Sequence, residues 1–361
     1  MVAAIFGSLF AGCVAPTHST PRADDTAASP GCLSPSWIDD DGAAGSAGTW
    51  SRFGSIDSTV GSCALDRPGD GRTLAVSSST YAVFRDDDWD KDSFFGQAGI
   101  AGAFLDVAGG AGDEAWFTFN DFDDDVVRVV SWDGRAFAHW SLPDLDFGTD
   151  ARVVVDGGGD AHGFGVGGGH LFHFWPGGGE GDAEPVDLGV LGAVDATAHE
   201  EVAYVAYVLG GLVALAEGTP GNWSRGYVAS DEVATSSLAG LALAVDACGT
   251  PVVAWPNAQG EARIAARDGR DWVVGTLDDD NDGTRPAVTV TSEGEIVAVF
   301  PGIDGNSKVF RNGGDGWARA DLDQFAEPGD HACVDLAADD NGGLAAAVYT
   351  TASGLVVYAG E

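Results

Sequence analysis

The acidic segment DDDNDG carries carboxylates at alternate positions, Asp278, Asp280 and Asp282, followed by a glycine. Alternate carboxylates on a tight turn can converge on one Ca²⁺, which prefers oxygen ligands. Position twelve of such a loop, where an EF-hand has glutamate, holds Thr289, so the segment is not an EF-hand. Two interpretations stay open: a calcium site made by these three aspartates, or a solvated acidic loop.

Other short motifs point away from catalysis. GFGVGG at 163–168 matches G-x-G-x-x-G, but the following HLFHFW is typical of a strand, and a dinucleotide site needs a helix there. His170 and His173 are three residues apart, which places them on opposite faces of a strand and argues against shared metal ligation. His199 and Glu200 lack the second histidine of H-E-x-x-H. We therefore predict no catalytic set.

The charge of the chain limits its partners. It has 56 acidic and 17 basic residues, a formal net charge of -39 over 361 residues. Nucleic acids are recognised by clustered Lys and Arg that release counterions, and the field of this chain would repel a phosphate backbone. We expect no nucleic-acid partner and no attraction to anionic membrane surfaces.

Short segments that contain tryptophan recur along the chain, and they mark the repeated strands on which any functional residue must lie. They are Trp50 in TWSRFGSID, Trp223 in NWSRGYVAS, Trp272 in DWVVGTLDD and Trp317 in GWARADLDQ. The last three are 49 and 45 residues apart, and the first step of 173 residues is about four such units. A period of about 40 to 50 residues built of short strands is typical of a β-propeller.

Alternating apolar strands joined by a turn lie between the tryptophan segments, as in AVTVTSEGEIVAVF at 287–300. Seven such turns can be placed, at Gly71, Gly112, Gly159, Glu200, Gly249, Gly294 and Gly342. The sequence therefore predicts an all-β chain of seven four-stranded blades. Six or eight blades are the alternatives, because 159–191 is rich in glycine.

The last blade lacks a fourth strand. After Trp317 only three strands follow, and a spare tryptophan strand precedes the first blade. We predict that residues 49–57 form the outer strand of the last blade beside Leu355 to Ala359, which closes the ring and removes its free edges. The repeated tryptophans are expected to pack between neighbouring blades.

If the strands follow this order, two further aspartate triplets lie in the connections between strands. Asp121, Asp123 and Asp125 are expected between second and third strands, on the same face as the 278 loop. Asp88, Asp90 and Asp92 are expected between third and fourth strands, on the opposite face. Negative charge on both faces favours general solubility over one focused site.

The turns before the tryptophans resemble the β-propeller repeats of sialidase-like secreted bacterial proteins, over residues 49–361. Asn312, Gly314 and Trp317 match the Asp-box S-x-D-x-G-x-x-W, whose serine position holds Phe310; near Trp272 the aspartate is displaced to Asp268. A hydrolase of that type would need arginines, an acid and a tyrosine around the channel. Arg285, which begins a blade, is a candidate for such an arginine. The alternative is that its charge balances nearby aspartates.

The first residues, MVAAIFGSLFAGC, resemble the signal and lipobox of a bacterial lipoprotein precursor, carried by Leu9, Ala11, Gly12 and Cys13. The resemblance implies cleavage before Cys13, which becomes the lipid attachment site. An ordinary secretory signal is the alternative, and no Lys or Arg precedes the apolar run. We therefore predict three parts: a signal segment at 1–13, a flexible tether at 14–36 and a propeller at 37–361.

Four further cysteines, Cys32, Cys63, Cys248 and Cys333, are compatible with two disulfides of an exported protein, in a pairing the sequence leaves open. Buried thiols are the alternative.

These observations lead to one functional expectation and two alternatives. We expect a non-enzymatic, monomeric propeller lipoprotein of the cell envelope that binds a protein or glycan, touches the membrane through its lipid alone and needs no cofactor besides a potential Ca²⁺. The alternatives are a glycan-active hydrolase or lyase and a calcium-stabilised structural protein.

Overall fold

The computed structural model is built of β-strands, with no α-helix among the residues it describes. Four-stranded antiparallel sheets follow one another along the chain as seven blades. The described residues are 32–33, 38, 47, 49–56, 63–68, 72–77, 80–85, 88–92, 102–134, 136–146, 150–175, 183–234, 240–279, 285–301, 307–314, 316–322, 333–339, 341, 343–350 and 354–360. The prediction of a seven-bladed β-propeller is confirmed.

The first four blades use consecutive strands, each blade running outward from its innermost strand. Blade 1 contains β2 (Ala64–Asp66), β3 (Thr73–Ser77), β4 (Thr80–Arg85) and β5 (Asp88–Asp92), after β1 (Trp50–Ile56). Blade 2 contains β6 (Gly102–Gly109), β7 (Ala115–Asp121), β8 (Val126–Trp132) and β9 (Phe137–Asp146). Blade 3 contains β10 (Ala151–Val155), β11 (Ala161–Gly167), β12 (His170–Phe174) and β13 (Ala183–Leu188). Blade 4 contains β14 (Val190–His199), β15 (Val202–Leu209), β16 (Leu212–Thr219) and β17 (Asn222–Glu232).

The remaining three blades repeat this order. Blade 5 contains β18 (Ala242–Val245), β19 (Pro251–Pro256), β20 (Ala262–Asp268) and β21 (Asp271–Asp278). Blade 6 contains β22 (Ala287–Val290), β23 (Ile296–Pro301), β24 (Ser307–Asn312) and β25 (Ala318–Asp321). Blade 7 contains β26 (Cys333–Ala338), β27 (Leu344–Thr350) and β28 (Gly354–Gly360).

The turn between the first two strands of a blade requires a left-handed residue. Gly112, Gly159, Gly249 and Gly294 occupy it with φ between 64° and 86°. Glycine has no Cβ to clash in this region. In blade 4 the same place holds Glu200 with φ 52°. The hairpin without glycine is therefore confirmed as equivalent, while Gly71 and Gly342 lie outside the described residues.

The ring is closed by its N-terminal strand. Strand β1 pairs antiparallel with β28, Trp50 opposite Gly360 and Ile56 opposite Leu355, which completes blade 7 as predicted. The Trp50 ring lies over Gly360, where an added Cβ would come within 2.8 Å of it. A strand from one end of the chain thus covers the edge left at the other end.

The cores lie between blades, and the repeated tryptophans pack at their edges. Trp223 lies against the core shared by blades 3 and 4, and Trp272 against that of blades 4 and 5. Trp317 borders the core of blades 5 and 6, and Trp50 that of blades 6 and 7. The predicted packing role of these side chains is confirmed.

Two disulfides join parts of the chain that are far apart in sequence. Cys63 of blade 1 is bonded to Cys333 of blade 7, with Cα atoms 5.9 Å apart. Cys32 is bonded to Cys248 in the β18–β19 turn, and the Leu33 backbone N–H donates to Asp246 Oδ2 at 2.8 Å. Cys32 and Leu33, inside the segment predicted as a tether, therefore contact the propeller.

Residues 1–31, which include Cys13, lie outside the described residues. Within the described part of the chain, no helix is long and apolar enough to cross a membrane.

Replacing Cys63 and Cys333 by serine should lower the free energy of unfolding by about 2–5 kcal/mol, because the bond closes a loop spanning most of the chain. Urea unfolding followed by tryptophan fluorescence measures this difference. Wild type under reducing conditions is a second comparison. Equal midpoints for wild type and the double variant would show that the bond contributes nothing to ring closure.

Candidate functional site

Aspartates of the innermost strands form a belt around the central channel. The carboxylate of each accepts a hydrogen bond from a backbone N–H of the next blade, at 2.6–3.1 Å. The pairs are Asp66 with Gly109, Asp106 with Val153, Asp150 with Val194, Asp195 with Leu243 and Asp335 with Leu65. Charge-assisted bonds to backbone N–H groups are stronger than neutral ones. The aspartate belt therefore links five of the seven blade junctions.

Two arginines beside the channel neutralise part of the belt. Arg152, almost fully buried, contacts Asp150 Oδ1 at 2.9 Å and Asp195 Oδ1 at 3.1 Å. Arg285 contacts Asp195 Oδ1 at 2.9 Å and Asp150 Oδ2 at 3.2 Å. Its aliphatic stem lies on Gly240, where a Cβ would come within 2.5 Å. The charge-balancing role of Arg285 is thus the one the structure supports.

Five carboxylates and two guanidinium groups leave the channel short of positive charge. Burial raises the pKa of Asp66 and Asp335 to about 6, that of Asp106 to about 7 and that of Asp195 to about 8. The neighbouring carboxylates add to this shift and Arg152 opposes it at Asp106 and Asp195. The belt therefore changes protonation near neutral pH.

The channel contains a cavity of about 490 Å³ lined by the belt, the two arginines and small apolar side chains. No tyrosine or glutamate is among its described lining residues. The arginine, acid and tyrosine set that a sialidase-like hydrolase requires is therefore not brought together in this part of the channel.

A second cavity, of about 720 Å³, opens on the face that carries the turns between first and second strands. We call it the face cavity; its walls are Trp116, Asp156, Gly158, Gly159, Asp160, Ala161, His162, Trp175, Glu201, Thr219 and Pro220. These residues come from blades 2, 3 and 4. Aromatic rings and carboxylates thus share one opening.

The β10–β11 turn builds one wall of the face cavity. Asp156 Oδ1 accepts hydrogen bonds from the backbone N–H groups of Gly158 and Asp160, both at 2.9 Å. The Gly157 N–H donates to the carbonyl of Glu200 in the next blade, and a Cβ at 157 would approach that backbone to 3.1 Å. The turn is therefore fixed both internally and to blade 4, and it leaves the Asp160 side chain exposed.

Tryptophans supply the apolar part of the face cavity. Trp175 stacks on His173 with ring centroids 5.1 Å apart, and Trp116 stacks on Trp140 at 5.5 Å. The indole nitrogen of Trp116 is buried, and no described residue accepts a hydrogen bond from it. Both rings are thus held in place by neighbouring rings.

A chain of hydrogen bonds leads from the face cavity into blade 3. His162 Nε2 faces Asp156 Oδ2 at 3.3 Å, and its Nδ1 lies 3.0 Å from His173 Nε2. His173 Nδ1 lies 3.1 Å from Glu184 Oε1, which also accepts from Gly221 and Trp223. The pKa of Glu184 lies below its ordinary value. Burial alone would raise this pKa, but the hydrogen bonds from Trp223, Gly221 and His173 lower it.

Counting the imidazole protons shows which ring nitrogen donates in each of these hydrogen bonds. Because the Glu184 carboxylate accepts, His173 donates through Nδ1 and its Nε2 must accept from His162. A bond from His162 Nε2 to Asp156 then needs one proton more than two neutral imidazoles carry. Burial, followed by the nearby His162, lowers the pKa of His173, so His173 is a neutral link between Glu184 and His162. His162 belongs to none of the motifs recognised in the sequence.

The predicted calcium ligands are only partly described. Asp278 ends strand β21, and its carboxylate lies 2.6 Å from the buried Lys308 ammonium. Asp280 and Asp282 lie outside the described residues, so the calcium site stays a prediction. Across the described residues, no group of three or more His, Cys, Asp or Glu side chains is placed to hold a metal ion.

The other two aspartate triplets have structural explanations. Asp121 ends β7 and accepts from the backbone of Asp123 at 2.9 Å and from Arg128 Nε at 2.6 Å; Asp123 and Asp125 lie in the β7–β8 connection, as predicted. Asp88, Asp90 and Asp92 lie within strand β5, so their placement in a connection was wrong. The Trp89 ring packs at a tilt against Phe84, with centroids 5.3 Å apart, and this packing with the β4 pairing outweighs the acidic composition.

The motif GFGVGG lies at the end of β11 and in the turn after it. The following HLFHF forms strand β12, so the predicted strand at this place is confirmed. Gly163 is needed because the Phe174 ring occupies the place of a Cβ there.

Comparison with solved structures returns other propellers. Virginiamycin B lyase from Staphylococcus aureus, as an inactive variant with quinupristin, has a TM-score of 0.57 at 8% identity, covering 86% of this chain and 99% of the lyase. YCF48 bound to D1 peptide has a TM-score of 0.54 at 12% identity, covering 90% and 98%. A mutant of AofleA from Arthrobotrys oligospora has a TM-score of 0.51 at 12% identity, covering 82% and 96%. At these identities the likeness shows the fold alone.

No protein-family model matches the chain, and no curated protein matches it.

The aspartate belt predicts a pH-dependent stability. Asp66, Asp106, Asp195 and Asp335 have folded pKa values above the ordinary 3.8, so between pH about 4 and 8 the folded protein binds more protons at these carboxyls than the unfolded chain. The free energy of unfolding should therefore fall as pH rises from about 6.5 to 8.5. This range avoids the opposite effect of His173, whose folded pKa is lowered.

Thermal melts of Asp106→Asn across this range should show a shallower fall than wild type, since one titrating belt carboxyl is gone. Glu293→Gln, an exposed substitution in the β22–β23 turn, should keep the wild-type slope. Parallel slopes for all three proteins would contradict a role for the belt.

Proposed function

We propose that this chain is an exported glycan-binding propeller whose ligand site is the face cavity. The observation that supports it is the combination, in one open cavity, of ordered tryptophan rings and carboxylates. Its volume of about 720 Å³ lies within the range of small-molecule binding sites.

The side chains of the face cavity suit sugar chemistry. The apolar C–H face of a pyranose packs on an aromatic ring, and Trp175 is a partly exposed ring held by His173. Sugar hydroxyls donate hydrogen bonds, and Asp160 and Glu201 are exposed acceptors on the turns of two neighbouring blades. An acceptor-rich, anionic wall favours a neutral glycan over an acidic one.

The channel supports binding less well than the face cavity. Its carboxylates already hold backbone N–H groups of the next blade, and its arginines already hold carboxylates. A ligand there would have to replace contacts that hold the ring together. We therefore assign the channel to stability and the face to recognition.

One observation favours a second candidate, a glycan-active lyase or hydrolase that acts in the face cavity. His162 lines the cavity and is connected through His173 to Glu184, an arrangement that can take up and release a proton. Turnover of a bound glycan that His162→Asn abolishes would establish this candidate in place of simple binding.

Trp175→Ala should weaken binding of neutral glycans by about tenfold or more, because it removes the ring on which the sugar stacks. A glycan array identifies the ligand, and isothermal titration calorimetry measures its affinity. Glu201→Gln removes the charge of an exposed carboxylate and replaces one acceptor oxygen by an NH2 donor, so it should also weaken binding without touching the aromatic packing.

Tyr227→Ala is the matched control, an exposed aromatic outside the face cavity. Its affinity for neutral glycans should equal that of wild type. Unchanged affinity in both Trp175→Ala and Glu201→Gln, with the fold intact by circular dichroism, would place the binding elsewhere.

We further propose that the protein is held at the cell envelope by a lipid on Cys13. The lipobox-like residues before Cys13 support this, and two disulfides are consistent with an oxidising compartment. Cys13→Ala should release the protein into the soluble fraction with its glycan affinity unchanged. Wild-type protein that fractionates as soluble would contradict the anchor.

A further inference from the structure

A groove on the outer rim lies between blades 4 and 5, away from the face cavity. We call it the rim groove; it has a volume of about 270 Å³ and is lined by Leu215, Glu217, Ser224, Arg225, Gly226, Tyr227, Arg267, Gly269, Arg270 and Trp272. The β16–β17 hairpin separates the two sites: its Thr219–Pro220 turn borders the face cavity and its strand β17 borders the groove.

Positive charge is concentrated in the rim groove. Arg267 and Arg270 bring two guanidinium groups to it, in a chain with 17 basic residues and a net charge of -39. Arg267 is oriented by Glu217 at 2.6 Å. Arg225 borders the groove with its backbone, while its guanidinium donates to the Val186 carbonyl at 3.0 Å and to Asp187 at 3.3 Å in blade 3. Arg270 is exposed on the β20–β21 turn, and no described carboxylate forms an ion pair with it. The Arg270 guanidinium is therefore available to a ligand.

An open floor and an aromatic wall complete the rim groove. At Gly226 an added Cβ would meet no atom within 4 Å, so the backbone there faces open space. Trp272 of blade 5 is half-buried and supplies the aromatic wall. Tyr227 lies on the other face of β17, because its cross-strand partner Ala214 packs against blade 3. The groove thus offers one ring beside a guanidinium group.

We propose that the rim groove is a second ligand site, which binds an acidic sugar, a pyranose carrying a carboxylate. A guanidinium fork matches the two oxygens of a carboxylate, and Arg270 supplies it. The pyranose ring packs on Trp272, and the Glu217–Arg267 pair offers an acceptor and a donor to its hydroxyls. The acidic face cavity and the basic rim groove then select sugars of different charge.

Saturation-transfer NMR with galacturonate and glucuronate tests this site, with methyl galactoside and methyl glucoside as neutral counterparts. The uronates should bind and the neutral methyl glycosides should bind at least about tenfold more weakly. Gly226→Leu should abolish uronate binding by filling the groove, since its side chain enters open space. Arg270→Gln should weaken uronate binding by about tenfold or more.

Arg319→Gln, which removes an exposed arginine of blade 6, is the control and should bind uronates like wild type. Equal binding of uronates and neutral glycosides, or uronate binding that survives both Gly226→Leu and Arg270→Gln, would overturn the proposal. So would inorganic sulfate that displaces uronate at equal concentration, because the site would then recognise any anion. Trp175→Ala should leave uronate binding intact, so failure of the face cavity and failure of the rim groove are distinguishable.

Discussion

The hydrogen bond from an innermost-strand aspartate to a backbone N–H of the next blade is the interaction on which this ring depends. Each blade packs only on its neighbours, so the ring needs contacts that fix one blade against the next near the axis. Five aspartates supply them. Burial raises the pKa values of four of these carboxyls, those of Asp66, Asp106, Asp195 and Asp335. Arg152 and Arg285 limit this cost by contacting two carboxylates each.

This constraint separates stability from recognition. Because the channel side chains satisfy one another, the groups left for ligands lie on the turns and on the outer strands. The face cavity uses turns of blades 3 and 4 that are tied together by the Gly157 to Glu200 bond. The rim groove uses outer strands of blades 4 and 5. Rigid strands thus position loop and rim side chains whose chemistry differs in charge.

Local patterns made the architecture predictable from the sequence. The tryptophan strands and hairpin turns recur at one period, and a spare strand at Trp50 implied closure against β28. The belt had a signal too, since Asp66, Asp106, Asp150 and Asp195 recur at the blade period, but runs of aspartate such as 278–282 were more conspicuous. The sites were not predictable. The contact of His162 with His173 depends on the register of β11 and β12, and Trp116, Trp175 and Glu201 meet only in the folded ring.

Hydrogen exchange at single backbone amides tests the belt most directly. In Asp106→Ala the Val153 N–H loses its acceptor, whereas Leu243, which donates to Asp195, keeps its own. Amide exchange followed by NMR should therefore accelerate at Val153 by an order of magnitude or more and stay at the wild-type rate at Leu243. Unchanged exchange at Val153 would contradict the claim that carboxylate-to-amide bonds hold neighbouring blades together.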